Sequence, residues 1–182
     1  MIYILLGFVL VIGGYFAVTY NSFVSLKNKI KSAWSDIDVQ LKKRYDLIPK
    51  LVEIVKGYAK HEQSTLEKVT EMRTAAMNSS SVSDKSHKES MLSGALKSIF
   101  AVSESYPDLK ANQNFLQLQQ ELSEVEDDIQ MARRYYNGSV KQFNTKIQTF
   151  PNLLVAQLFG YKAEDFFELE NENERKVVDV KF

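Results

Sequence analysis

The chain opens with nineteen residues, Ile2 to Tyr20, that carry no charged side chain, and Lys27, Lys29 and Lys31 follow soon after. At helical rise such a run spans roughly 28 Å, close to the hydrocarbon thickness of a bilayer. The pattern predicts one membrane-spanning helix. A cleaved secretory signal has a basic start, a shorter apolar core and a small-residue cleavage site. No Lys or Arg precedes this run, and Thr19-Tyr20-Asn21-Ser22 is a poor cleavage sequence, so an uncleaved anchor is expected. Tyr3 near one end and Tyr15 and Tyr20 toward the other suit the headgroup level. Gly13 and Ala17 form a small-xxx-small pair on which two anchors can approach closely.

From Ile30 the apolar positions continue through Trp34, Ile37, Leu41, Tyr45, Ile48, Val52, Val55, Ala59, Leu66, Val69 and Ala76. Steps of threes and fours, with Glu62 and Arg73 filling the gaps, mark the seam of a long amphipathic helix. It reaches from just beyond the anchor to about Met77. Pro49 removes one backbone donor and crowds the preceding turn, so a kink is expected there, with Asp46 capping the segment that follows. Asn78 to Asp84 is serine-rich and aperiodic, hence a loop. A second helix is predicted from about Lys85 to Ser105 and ends at Tyr106-Pro107-Asp108, with Asn112 as the cap of the next.

That next helix has the cleanest pattern: Phe115, Leu118, Leu122, Val125, Ile129, Ala132, Tyr136, Val140, Phe143 and Ile147. The alternation signifies a packing seam, inside a bundle or between chains. Phe150-Pro151-Asn152 terminates it, and Leu153 to Phe159 reads as a short, nearly all-apolar helix closed by Gly160. Glu164 to Glu174 then carries six acids, and Val178 to Phe182 alternates with period two, which suits an extended strand. The predicted fold class is all-α: an up-and-down helical bundle of three long helices plus a short one, the first very long, behind one N-terminal transmembrane helix. The expected boundaries are an anchor over 1–21, an antiparallel bundle over 22–162 and an acidic tail with an extended end over 163–182.

Charge refines this picture. The 23 bases and 23 acids cancel overall, yet residues 1–60 hold nine bases against four acids. A basic juxtamembrane part suits an anionic cytoplasmic leaflet, and the positive-inside rule places the amino terminus outside and the bundle in the cytoplasm. The more distal part is net acidic and has no basic stripe interleaved with aromatics, so nucleic acid is not an expected partner. The absence of cysteine fits either compartment.

Candidate chemistry is sparse. The two histidines, His61 in a charged stretch and His87 after a loop, lie far apart in sequence and read as surface residues. A di-metal bundle would need Glu-x-x-His twice, and neither this motif nor a phosphate-binding glycine loop occurs. No metal, cofactor or catalytic centre is expected. The acids Glu121, Glu124, Glu126, Asp127 and Asp128 read as a solvated face. Two polar constellations stand out, Lys43-Arg44-Tyr45-Asp46 and Arg133-Arg134-Tyr135-Tyr136-Asn137. Arg44, Tyr45, Asp46, Arg133, Arg134 and Tyr136 are read either as an inter-helix network in which guanidinium groups pair with acids, or as a docking patch for lipid headgroups or a partner protein. Leu153, Leu154, Val155, Leu158 and Phe159 form an apolar patch beyond one bundle's needs.

The run from Ala33-Trp34-Ser35-Asp36-Ile37-Asp38-Val39 through Leu47-Ile48-Pro49-Lys50-Leu51-Val52, together with Gly57-Tyr58, Ala132-Arg133-Arg134-Tyr135-Tyr136-Asn137, Phe150-Pro151 and Leu158-Phe159-Gly160, resembles the hallmark of the LemA family. The likeness covers essentially the whole chain. It implies a bacterial membrane protein with a helical bundle and a very long first helix, and no enzymatic activity; a magnetosome relative is linked to membrane shaping. The expected function is a single-pass, non-enzymatic scaffold or adaptor of the bacterial inner membrane that self-associates or organises a membrane complex and shapes the membrane. Its expected partners are the lipid bilayer, further copies of itself and other membrane proteins. A protein-recognition or sensing module that docks a partner through its C-terminal tail is the alternative.

Overall fold

The computed structural model describes residues 1–167; the distal acids and the extended end expected over Val178 to Phe182 lie outside the described residues. The fold is all-α. Among the described residues six helices follow in order: α1 (Ile2–Tyr58), α2 (Gln63–Met77), α3 (Val82–Ser103), α4 (Pro107–Lys110), α5 (Gln113–Gln148) and α6 (Asn152–Leu158). The chain packs as two compact units, one built from Met1–Val39 with Ile129–Phe166, the other from Gln40–Asp128 with Phe167 among the described residues. Helices α1 and α5 contribute to both.

In the first unit the start of α1 is bare: Ile2 to Leu6 and Phe8 to Val11 are all exposed. Packing begins within the expected anchor rather than after it. Tyr15 Oη donates to Asn152 Oδ1 at 2.7 Å, and Thr19 and Phe23 are buried. Phe23 and Phe143 meet edge to face at 6.4 Å, and Tyr161 closes the cluster, 5.1 Å from Phe23 and 6.1 Å from Phe143. The chain reverses after α6 at Gly160, whose φ of 69° lies in the region that favours glycine. Residues 161–166 then form no helix and are held to α5 by Asn144. Its amide donates to the Glu164 carbonyl at 2.9 Å, and its carbonyl accepts from the Glu164 amide at 2.9 Å.

In the second unit the expected long helix is divided. Helix α1 ends at Tyr58, and α2 starts at Gln63. The seam nevertheless runs on across the break, because Leu51, Val55, Ala59, Leu66, Val69 and Ala76 are all buried. The expectation for Asp46 is corrected here: α1 continues through Pro49, so Asp46 sits in a helix interior and caps nothing. The proline removes the amide that would bond the Tyr45 carbonyl four residues back. The Nε of Arg73 supplies the replacement, donating to that carbonyl at 2.7 Å. A seam arginine therefore repairs the helix at the point where the proline breaks its ladder.

Helix α3 starts earlier than periodicity suggested, because Ser81 and Asp84 cap it reciprocally. The Ser81 hydroxyl accepts from the Asp84 amide at 3.1 Å, and the Asp84 carboxylate accepts from the Ser80 amide at 3.1 Å. Lys88 and that Ser80 amide hold the Asp84 carboxyl below its usual range, Lys88 most strongly. Asn112 caps α5 as expected, accepting from the Phe115 amide at 3.0 Å. The α5 seam is buried at Phe115, Leu118, Leu122, Val125, Ile129, Tyr136, Val140, Phe143 and Ile147. Period and caps together account for this helix, and α3 shows what happens when the cap, rather than the apolar stripe, decides where a helix starts.

Candidate functional site

The second unit is organised around a buried charge. Arg44, on α1, is 1% exposed. Its guanidinium pairs with Glu89 of α3, with Glu126 of α5 at 2.6 Å, and with the Ser93 hydroxyl of α3 at 3.0 Å. The Tyr45 hydroxyl donates to the other oxygen of Glu89, and the Tyr45 carbonyl takes the Arg73 bond from α2. Helices α1, α2, α3 and α5 thus meet in one connected polar network. Desolvation pulls the Arg44 guanidinium below its ordinary value, and the charge of Glu126 opposes the shift. Taking both ions from water costs several kcal/mol, which the pairing offsets only with close geometry. Such a centre specifies which helices meet more than it adds net stability.

The first unit treats its tyrosine motif differently. Tyr136 is buried with its ring 5.3 Å from that of Trp34, edge to face, and its hydroxyl donates to the Asp165 carbonyl at 3.0 Å. Burial first, then the nearby Glu164 and Asp165 carboxylates, pushes its phenol up to about 12. Tyr135 is exposed and lies under the Lys29 ammonium at 5.4 Å. Arg134 is exposed and Arg133 half-buried. The motif is thus an aromatic latch on segment 161–166, with Arg134 turned outward and Arg133 partly buried.

Of the residues nominated from sequence, the structure therefore brings Arg44 and Tyr45 together in one cluster and leaves Asp46 outside it, exposed on α1. It also changes the reading of Glu126. That residue is half-buried and reaches Arg44, because it stands four residues after Leu122 and three before Ile129, on the seam. Glu89, Ser93, Arg73 and Asn144 are functional parts of these clusters that sequence reasoning missed. Glu89 carried a readable signal: it lies one turn before Leu92 on the α3 stripe, where an acid requires a buried cation.

The apolar patch is also redrawn. Leu154, Leu158 and Phe159 are exposed, Leu153 is half-buried, and Val155 is fully buried and departs from the patch. A seven-residue helix has room for one inward face, and Val155 with Ala156 occupies it. Among the described residues no group of three His, Asp or Glu side chains is placed to hold a metal ion, and His61 and His87 are exposed. An open groove along α5 is lined by Gly138, Lys141, Gln142, Thr145, Lys146 and Thr149; none of these is a histidine, cysteine or carboxylate.

Comparison with known proteins agrees with this architecture. Protein LemA of Metamycoplasma hominis is 35% identical over 186 residues, covering 98% of this chain and 83% of the relative. Magnetosome protein MamQ 2 of Paramagnetospirillum magneticum is 22% identical over 82% of the chain, and magnetosome protein MamQ of Magnetospirillum gryphiswaldense is 21% identical over 81%. The match spans 64% of the length of each of these magnetosome proteins. The family model for LemA matches residues 33–182, which takes in the Arg44 network, the Tyr136 latch and α6, and the chain belongs to the LemA family.

Proposed function

We propose that this protein is a non-enzymatic, single-pass membrane scaffold or adaptor that organises a membrane complex through self-association. The observation that carries the reading is the continuity of α1. One helix, Ile2–Tyr58, holds an apolar stretch long enough to cross a bilayer, and almost none of that stretch is covered by protein. A core helix of a water-soluble protein would have that surface buried. Removal of residues 1–20 as a signal would also delete Tyr15 and Thr19, which pack in the first unit. This packing supports retention of the greasy run in the folded protein. Around it stand a structural ion network, whose one hydroxyl–carboxylate contact, Tyr45 to Glu89, is buried away from solvent, and an aromatic latch.

The basic juxtamembrane stretch favours a cytoplasmic bundle with the amino terminus outside the bacterial inner membrane. Open space around Gly13, one turn from Ala17, favours contact between anchors. Crosslinking in native membranes, combined with protease accessibility on the same sample, tests the whole reading. The expected result is a membrane-bound ladder of crosslinked copies, protected from protease added outside the cell. Recovery of a water-soluble chain lacking its first residues, or a strict monomer at all concentrations in mild detergent, overturns it.

A further inference from the structure

The start of α1 is not the sole apolar surface of the first unit. Phe150, Leu154, Leu158 and Phe159 are 79%, 52%, 68% and 51% exposed, and the stretch Phe150 to Phe159 contains no charged residue. Two contacts fix its level along α1. Asn152 is bonded to Tyr15 at 2.7 Å, and the Phe159 ring lies 4.7 Å from that of Tyr20. Helix α6, about 10 Å long, therefore flanks the last part of the uncharged run.

Just beyond that level the chemistry changes on every neighbouring element. Lys146 of α5 donates to Ser22, and Lys27 pairs with Glu164 at 3.0 Å and lies 6.0 Å from the Tyr161 ring. Apolar, then aromatic, then cationic is the order in which a bilayer surface sorts side chains. The exposed residues of α6 flank the uncharged run of α1 where Tyr15 and Tyr20 meet Asn152 and Phe159, and the lysines begin beyond that level. We infer that α6 and Phe150 form an interfacial wedge, inserting Phe150, Leu154, Leu158 and Phe159 into the boundary between headgroups and acyl chains beside the anchor. The occupant of this patch is lipid. The inference rests on α1 being a membrane anchor and adds a second point of attachment, one that fixes how far the first unit stands from the bilayer.

Because the chain has no cysteine, single-cysteine variants carry a unique fluorescent label. The full chain is labelled in turn at L158C, at L10C in the bare part of α1, and at V39C, an exposed α1 position of the same unit. Each is reconstituted into vesicles of phosphatidylcholine and phosphatidylglycerol containing spin-labelled lipid, with iodide as the aqueous quencher. The expected result is loss of L158C fluorescence to a shallow lipid label, loss of L10C fluorescence to a deep one, and loss of V39C fluorescence to iodide alone. If L10C responds to lipid while L158C responds only to iodide, the wedge is overturned and the anchor stands. If L10C fails to respond to lipid, the anchor reading falls and the wedge with it. If L158C is shielded from both quenchers and crosslinks to a second copy, the patch is a self-association surface and the wedge is overturned.

Discussion

The two tyrosine motifs look alike on paper and are built in opposite ways. At Lys43-Arg44-Tyr45-Asp46 the arginine goes inside and the tyrosine hydroxyl helps to satisfy its buried counter-ion, Glu89. At Arg133-Arg134-Tyr135-Tyr136-Asn137 both Arg134 and Tyr135 are exposed, and the buried Tyr136 spends its hydroxyl on the backbone carbonyl of Asp165. The difference lies in what each helix faces. Arg44 meets seam acids on two other helices, so its charge can be desolvated. Tyr136 meets the segment after α6, where the Asp165 carbonyl accepts its hydroxyl. Basic and aromatic residues clustered in sequence therefore do not mean one thing; the neighbouring seam decides.

The largest expected effect breaks the first motif. Arg44→Met leaves Glu89 buried without its cation, which costs on the order of 3–5 kcal/mol and should appear as a large drop in the urea midpoint of the purified full-length protein in detergent. Replacing Glu89 by Met as well should restore much of that loss. Failure of the double variant to recover would show that the pair contributes more than mutual compensation.

Next comes the repair at Pro49. Arg73→Met leaves the Tyr45 carbonyl without its donor, for about 1–3 kcal/mol. Pro49→Ala returns the missing amide, so in the Arg73→Met background it should stabilise, and the coupling in a double-mutant cycle is the readout.

Tyr136→Phe sharpens the other half of the comparison. Losing one neutral hydrogen bond to an exposed segment costs about 1 kcal/mol, less than the ionic centre. Its pH signature is distinct. The folded phenol is raised to about 12 against about 10 in an unfolded chain, so the unfolded state releases its proton first. The stabilisation is fully present below about pH 10 and is lost as pH rises through about 12. Wild type should therefore lose stability across that interval more steeply than Tyr136→Phe, as read by urea unfolding at each pH. The smallest effects belong to the exposed flanks: Asp46→Asn and Arg134→Gln should each change stability by less than about 0.5 kcal/mol. A loss of crosslinked neighbours in either variant, at unchanged stability, would reveal a docking role that packing does not demand.

The helices and their seams were legible because burial imposes a period on the sequence, and α5 matched its stripe nearly residue for residue. What stayed hidden was the set of pairings. Glu126 looked solvated because four other acids surround it in sequence, and only its place between Leu122 and Ile129 betrayed it. Arg73 looked like a flaw in an apolar series, because its target is a backbone carbonyl that no side-chain pattern records. The loop at residues 59–62 was invisible because Ala59 keeps the seam in register across it. Val155 was misassigned because a short helix of uniform polarity has no readable phase.

The uninterrupted run of α1 from bare apolar surface into packed core leaves no swivel between them. Inserting one residue near Tyr20 would turn everything before it by about 100° and shift it by about 1.5 Å, carrying Tyr15 away from Asn152. The phase of a single screw thus sets which face the greasy end presents relative to the packed core, and any neighbour that grips that end grips an oriented shaft.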